Sequence, residues 1–196
     1  MIRYIVGVAL TAAMAMPILA ADKGADLYRD KKYAEAERAL REEIQAEPQD
    51  TEANYYLGLA LLEQEKYKDS EPYLKKALGE KPAAHLGLAR AYMMQDKLKE
   101  ALSELKSVEK QEENNPELYR SRGMILLKQN QFKDSAAQLS KAIELDPKDA
   151  YAHYYYAMAN SRLKRPDLMI KHFQFFLELA PEAPEAEKVR SLLRSL

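Results

Sequence analysis

Lys66-Tyr67-Lys68-Asp69-Ser70, Lys97-Leu98-Lys99-Glu100-Ala101 and Gln131-Phe132-Lys133-Asp134-Ser135 are three versions of one phrase, and Lys32-Tyr33-Ala34-Glu35-Ala36 is a fourth. Their second residues stand 34, 31 and 34 positions apart, and Pro166 falls another 34 beyond Phe132. Other markers keep the same step. Leu40, Leu74, Leu105, Leu139 and Phe173 lie seven residues on, and Ala77, Val108, Ala142 and Phe176 a further three. Pro48, Pro82, Pro147 and Pro181 close their units fifteen residues after the marker. Upstream of each marker, Leu57-Gly58, Leu88-Ala89, Arg122-Gly123 and Tyr156-Ala157 place a small residue after a large one. A fixed period of this length means stacked copies of one supersecondary unit, none able to bury its apolar face alone.

Each unit reads as two amphipathic helices. In the second, Tyr56, Leu57, Ala60 and Leu61 form one stripe and Leu74, Ala77 and Leu78 another, at helical spacing. Asn115-Pro116-Glu117 supplies an N-cap, a first-turn proline and a first-turn acid. Asp50 and Asp149 are caps at the corresponding places, and Lys164-Arg165-Pro166-Asp167 opens the second helix of the last unit. Around Gly79-Glu80-Lys81-Pro82 the step is three residues short, and Pro82 reads as both terminator and start of the next helix. Pro72 is expected to remove one helical hydrogen bond.

The pattern resembles the tetratricopeptide repeat family, whose unit is 34 residues. The family's small residue matches Gly58, Ala89, Gly123 and Ala157, and its closing proline matches Pro48, Pro82, Pro147 and Pro181. Its second-helix alanine matches Ala36 and Ala101, with Ser70 and Ser135 as near equivalents and Met169 as a departure. Tyr119 matches the family's aromatic position, where Asn54, His85 and His153 do not. The resemblance implies an all-α, right-handed α-solenoid of about five helix pairs. The repeats run over about 22–50, 51–81, 82–115, 116–149 and 150–183, followed by a capping helix over 184–196.

Residues 1–21 are a different kind of sequence. Met1-Ile2-Arg3, an apolar run from Ile5 to Met16 and the small residues Ala20-Ala21 are the parts of a Sec-type signal peptide. Cleavage near Ala20 or Ala21 would leave 22–196 as the folded solenoid in the periplasm or outside the cell. If the signal stays uncleaved, it is the only membrane contact expected. The chain has no cysteine, which excludes disulfides, thiolate chemistry and Cys-ligated zinc. Thirty basic and 31 acidic residues give a formal charge of −1, with no electrostatic reason to expect nucleic acid.

Little else points to chemistry. Three histidines, His85, His153 and His172, lack metal-site spacing, and there is no phosphate loop or nucleophile elbow. No catalytic residue, no metal site and no cofactor is therefore expected, and the chain reads as a non-enzyme.

A surface remains. In the family the first helix of each pair lines a concave groove. By register, the partner-binding residues here are Tyr55, Leu59, Arg90, Met93, Met94, Arg120, Met124, Tyr151, Tyr154, Met158 and Arg162. Tyr and Arg make interface anchors, and Met adapts to varied partners. The expected partner is a peptide or helix of another protein, with apolar and acidic side chains. Some family members grip a C-terminal carboxylate through Lys and Asn in three successive units. Here those places hold Tyr55, Leu59, Gly87, Glu117 and Ser121, or in the next register Leu86, Arg90, Ser121, Tyr151 and Tyr155, so that clamp is not supported. The resulting expectation is a protein-interaction scaffold or adaptor of the periplasm or cell envelope. The alternative is a self-associating structural protein of an envelope or secretion complex.

Overall fold

Why the small residues recur becomes plain at Gly58. A methyl group there would run into Cγ of Leu74 on the next helix, and one at Gly123 would run into Cγ of Leu139. Gly24 stands in the same relation to Leu40, extending the small-residue series one unit upstream. At these three crossings the two helices of a pair approach so closely that no Cβ fits between them, while the pairs that hold Ala89 and Ala157 at this place admit a single methyl group. In a computed structural model, which describes residues 23–195, this crossing organises eleven helices with no strand among the described residues. They are α1 (Lys23–Arg29), α2 (Tyr33–Ala46), α3 (Thr51–Glu63), α4 (Tyr67–Ala77), α5 (Ala84–Met94), α6 (Leu98–Gln111), α7 (Pro116–Lys128), α8 (Phe132–Leu145), α9 (Ala150–Arg162), α10 (Pro166–Leu179) and α11 (Ala186–Arg194). The signal-like segment 1–21 lies outside the described residues.

The backbones of α1, α3, α5 and α7 each come close to that of the next odd-numbered helix, whereas among the described residues the even-numbered backbones stay apart and meet through long side chains, as where Arg41 of α2 donates to Tyr73 of α4 at 2.9 Å. Stacking that is tight on one side and splayed on the other curves the solenoid, with the odd helices on its concave face. Leu40, Leu57, Leu74, Leu88, Leu105, Leu118, Ile125, Leu139 and Phe176 are fully buried between the layers. Burying each such side chain contributes about 1.5–3 kcal/mol.

Caps stand where the sequence places them. Asp50 accepts from Ala53 N, Asn115 from Glu117 N and Leu118 N, and Asp149 from Ala152 N. At the short step α5 begins at Ala84 rather than at Pro82, because Ala84 N bonds Lys81 O and His85 N bonds Pro82 O in a tight entry turn. α4 continues through Pro72 and stops at Ala77. The α6–α7 junction is the loosest of those between successive pairs. At the corresponding register places the α4–α5 and α8–α9 junctions bury Ala77 and Ala84, and Ala142 and Ala152, where this one buries the larger Val108 and Leu118.

The turn inside each pair carries a feature with no residue-type signature. Lys31, Glu65, Asp96, Asn130 and Lys164 all have φ between 57° and 62°. Each donates its N–H three residues back, and the next residue donates five back, as in Lys66 N to Leu61 O. This is the Schellman termination, whose left-handed residue is ordinarily glycine. Holding a residue with a Cβ there costs about 1–2 kcal/mol, partly offset by glycine's greater unfolded entropy. Glu65→Gly and Lys164→Gly are each expected to stabilise the fold by roughly 0.5–1 kcal/mol, read as a raised urea midpoint. Asn130→Gly should gain less, since Asn tolerates this conformation.

Candidate partner-binding site

The inner helices expose an unequal set of side chains. Met94 and Met158 are 47% and 38% exposed, whereas Met93, beside Met94, is 3% exposed and belongs to the core. Three concavities follow one another along the concave face. The first, about 410 Å³, is charged: Glu63, Arg90, Glu117 and Arg120 line it with Met94, Met124, Tyr151 and Tyr155. The second, about 330 Å³, is lined by Met94, Met124, Leu127, Phe132, Tyr155 and Met158, with Lys128 and Arg162 at its edges. The third, about 340 Å³, opens between α9 and α11 and has Tyr154, Met158, Arg162, Phe173, Val189 and Leu192 on its walls. The first two share Met94, Met124 and Tyr155, and the last two share Met158 and Arg162, so they form one trough.

Nine of the register-derived residues line this trough. Tyr55 and Leu59 do not: both pack against the apolar core around Leu74 and Leu88, with Leu59 against Gly87. They sit at inner-face positions and are half-buried against that core where α3 approaches α5. Met93 contributes only its edge. Tyr155, Phe132, Phe173, Val189 and Leu192 belong to the trough although register omits them. All but Tyr155 enter from α8, α10 and α11, which a reading of first helices alone passes over.

The arginines differ in what they hold. Arg90 bonds Glu63 at 2.6 Å, tying α5 to α3. Arg120 donates through Nη1 to both oxygens of Asp149 at 3.1 Å and pairs with Glu117 at 3.4 Å, tying α7 to the cap of α9. Both work within the scaffold. Arg162 is exposed, lies 5.8 Å from the Phe132 ring centroid, and has no carboxylate partner among the described residues.

The four tyrosines of α9 divide. Tyr151, Tyr154 and Tyr155 are in mutual ring contact, and Tyr154 also packs on Phe173 and Phe176. Burial, followed by the neighbouring Tyr154, pushes the Tyr155 phenol up to about 12, which keeps it neutral. Tyr156 turns to the other side and packs on His172, with centroids 4.5 Å apart.

Family models for the tetratricopeptide repeat match residues 22–85, 61–125 and 123–163. The chain is a tetratricopeptide-repeat protein. No curated protein matches it in sequence. Among solved structures, this repeat protein is similar to a thermophilic TPR protein of Thermus thermophilus, with 21% identity and a TM-score of 0.73. That alignment covers 90% of this chain and 96% of the other. It is also similar to MamA from Desulfovibrio magneticus, with 22% identity, a TM-score of 0.66 and coverage of 85% and 96%. YrrB, described as a TPR protein with an unusual peptide-binding site, aligns at 19% identity with a TM-score of 0.59 over 89% and 91% of the chains. At these identities the likeness establishes the solenoid fold.

The histidines of this tetratricopeptide-repeat protein sit between helices, away from the trough. His85 Nδ1 lies 2.6 Å from Glu104 Oε2. His153, 4% exposed, directs Nε2 to Pro147 O at 3.0 Å and Nδ1 to His172 Nδ1 at 2.8 Å. The carbonyl requires a proton on Nε2 of His153, and the Nδ1–Nδ1 contact holds a single proton between the rings, so both rings cannot be charged in this arrangement. Burial, then the His153 ring and Lys171, depress the His172 pKa to about 4. The stability held by neutral His172 is complete above pH ~6.5, the unfolded value, and is lost as pH falls toward 4. The ring is only half-buried, so the loss is on the order of 1 kcal/mol. Thermal melts at pH 7 and pH 4.5 check it, because His172→Gln should flatten that part of the profile.

Proposed function

We propose that this chain is a scaffold or adaptor whose concave face binds a peptide or helix of a partner protein, and that it works in the periplasm or cell envelope. The observation that carries the binding reading is the continuous trough, lined by the exposed Met94 and Met158. A folded monomer gains nothing from two large apolar side chains kept in water at the bottom of a concavity, and such surfaces mark interaction sites. Methionine's flexible, polarizable chain suits a docking floor that must fit an imperfectly rigid guest. The peptide-binding site for which YrrB is described is consistent with this use of the same fold. The compartment rests on the signal-like residues 1–21.

Selection of peptides from a random library on the immobilised protein tests the binding reading. Recovered peptides should lose binding to Met94→Glu/Met158→Glu, as argued below. Peptides that bind this variant and the parent alike would place recognition elsewhere. Light scattering should return a monomer; a dimer dissolved by the same substitutions would favour self-association through the trough. Detection of the full-length chain only in the cytoplasmic fraction would overturn the envelope assignment.

A further inference from the structure

The end of the solenoid breaks its own rule. The backbone of each inner helix from α1 to α7 comes close to that of the next inner helix, but the backbone of α11, which takes the place of the one after α9, approaches α10 and not α9. Residues 180–185, with Pro181 and Pro184, link α10 to α11; they number six, as 78–83 do between α4 and α5, against four at 47–50, 112–115 and 146–149. Their course is fixed by hydrogen bonds: Arg190 donates to Pro181 O at 2.7 Å, Ala186 N to Ala183 O at 2.9 Å, and Tyr151 Oη to Glu185 at 3.1 Å. α11 is thereby seated on Phe173 and Phe176 through Ala186 and Val189, with the cleft of about 340 Å³ left open beside α9.

The cleft's chemistry is lopsided. Phe173 is in its floor, Tyr154, Met158 and Leu192 are on its walls, and Leu192 is 39% exposed. Its charged lining residues are Arg162 on one lip and Lys188 on the other. Both are exposed, and neither has an ion-pair partner among the described residues. The carboxylate nearest the tyrosine end, Glu185, is engaged by Tyr151. Among the described residues, no carboxylate lines this cleft or the concavity that adjoins it through Met158 and Arg162. An apolar cleft whose only charges are unpaired cations complements an apolar side chain flanked by carboxylates, and charge complementarity of this kind fixes register and partner choice.

Building on the trough as docking surface, we propose that the α9/α11 cleft is its anchor pocket. It takes large apolar side chains of an amphipathic partner segment whose neighbouring Asp or Glu residues meet Arg162 and Lys188. A nucleic acid is the poorer fit, since two cations on a chain of net charge −1 do not make a phosphate track.

The test is a random peptide library displayed on phage and selected on the full chain, followed by titration of the recovered peptides. Enrichment of Leu, Phe, Met or Trp together with Asp or Glu is expected. Arg162→Glu/Lys188→Glu should weaken these peptides at least about tenfold, and exchanging their acids for Lys should restore binding to that variant. Ser161 is exposed on the cleft's lip, so Ser161→Trp should fill it and also lose binding. Circular dichroism should show both variants folded. Peptides that depend on Met94 and Met158 but show no acidic bias, or that ignore both the charge reversal and Ser161→Trp, would overturn the anchor pocket and leave the trough standing. Recovery of no peptide sensitive to Met94 and Met158 would remove the trough reading, and the pocket with it. Selective binding of a single-stranded oligonucleotide at Arg162 and Lys188 would also overturn the proposal.

Discussion

Leu139→Ala is expected to destabilise the protein by about 2–5 kcal/mol, and adding Gly123→Ala to the same chain is expected to return part of that loss. Leu139 is fully buried, and its Cγ, Cδ1 and Cδ2 occupy the space into which a Cβ at position 123 would grow. Alone, Gly123→Ala therefore forces the α7–α8 crossing apart. That costs about 1–3 kcal/mol, even though alanine is the better helix former. The crossing cannot relax freely, because Ser135 Oγ donates to Gly123 O at 2.7 Å in the same buried seam. With Leu139 shortened, the new methyl group enters a vacated volume and the helix-propensity gain of about 1 kcal/mol is recovered. Chemical denaturation of the two single variants and the double variant closes the cycle. A coupling of about 1–3 kcal/mol in the compensating direction is expected. Strict additivity would mean that residues 123 and 139 do not share that space.

This seam also shows what was legible in the sequence. Gly58, Ala89, Gly123 and Ala157 recur in step with Leu74, Leu105, Leu139 and Phe173, and a small residue opposite a large one at a fixed offset has one economical explanation, a close helix crossing. The solenoid, its helix pairs and the Asp50, Asn115 and Asp149 caps follow from such periodic facts. The left-handed turns were not legible. Lys31, Glu65, Asp96, Asn130 and Lys164 share a backbone conformation but no side-chain property, because the surrounding hydrogen bonds impose it. For the trough, register assigns a residue to the inner face but cannot say how close the next helix comes. Tyr55 and Leu59 are half-buried against the core where α3 and α5 meet, while Met158 is left open where α11 stands away from α9. Nor does register distinguish Arg120, held by Asp149, from Arg162, which faces solvent. Both distinctions depend on spacing between units.

Met94→Glu combined with Met158→Glu is expected to reduce affinity for trough-selected peptides at least about 100-fold while leaving the melting temperature nearly unchanged. Both thioethers are already in water in the free protein, 47% and 38% exposed, and surface substitutions of this kind usually shift stability by no more than about 0.5 kcal/mol. In the complex each carboxylate would be desolvated against apolar side chains, and a central anchor lost in this way costs about 2 kcal/mol or more. Two neighbouring comparisons sharpen the result. Met93→Glu should unfold the chain, since its side chain is in the core between α5 and its neighbours. Phe175→Glu with Leu179→Glu should leave peptide binding intact, although these residues are 37% and 40% exposed on α10. Equal exposure with unequal effect separates the trough from general surface apolarity, and loss of binding in the α10 pair alone would move the docking site to that helix. Chemistry offers the same contrast without mutation. Mild peroxide should oxidise Met94 and Met158 ahead of the buried Met93 and Met169, placing polar sulfoxides on the trough floor. Binding should then fall in proportion to sulfoxide content at these two positions, and methionine sulfoxide reductases should restore it.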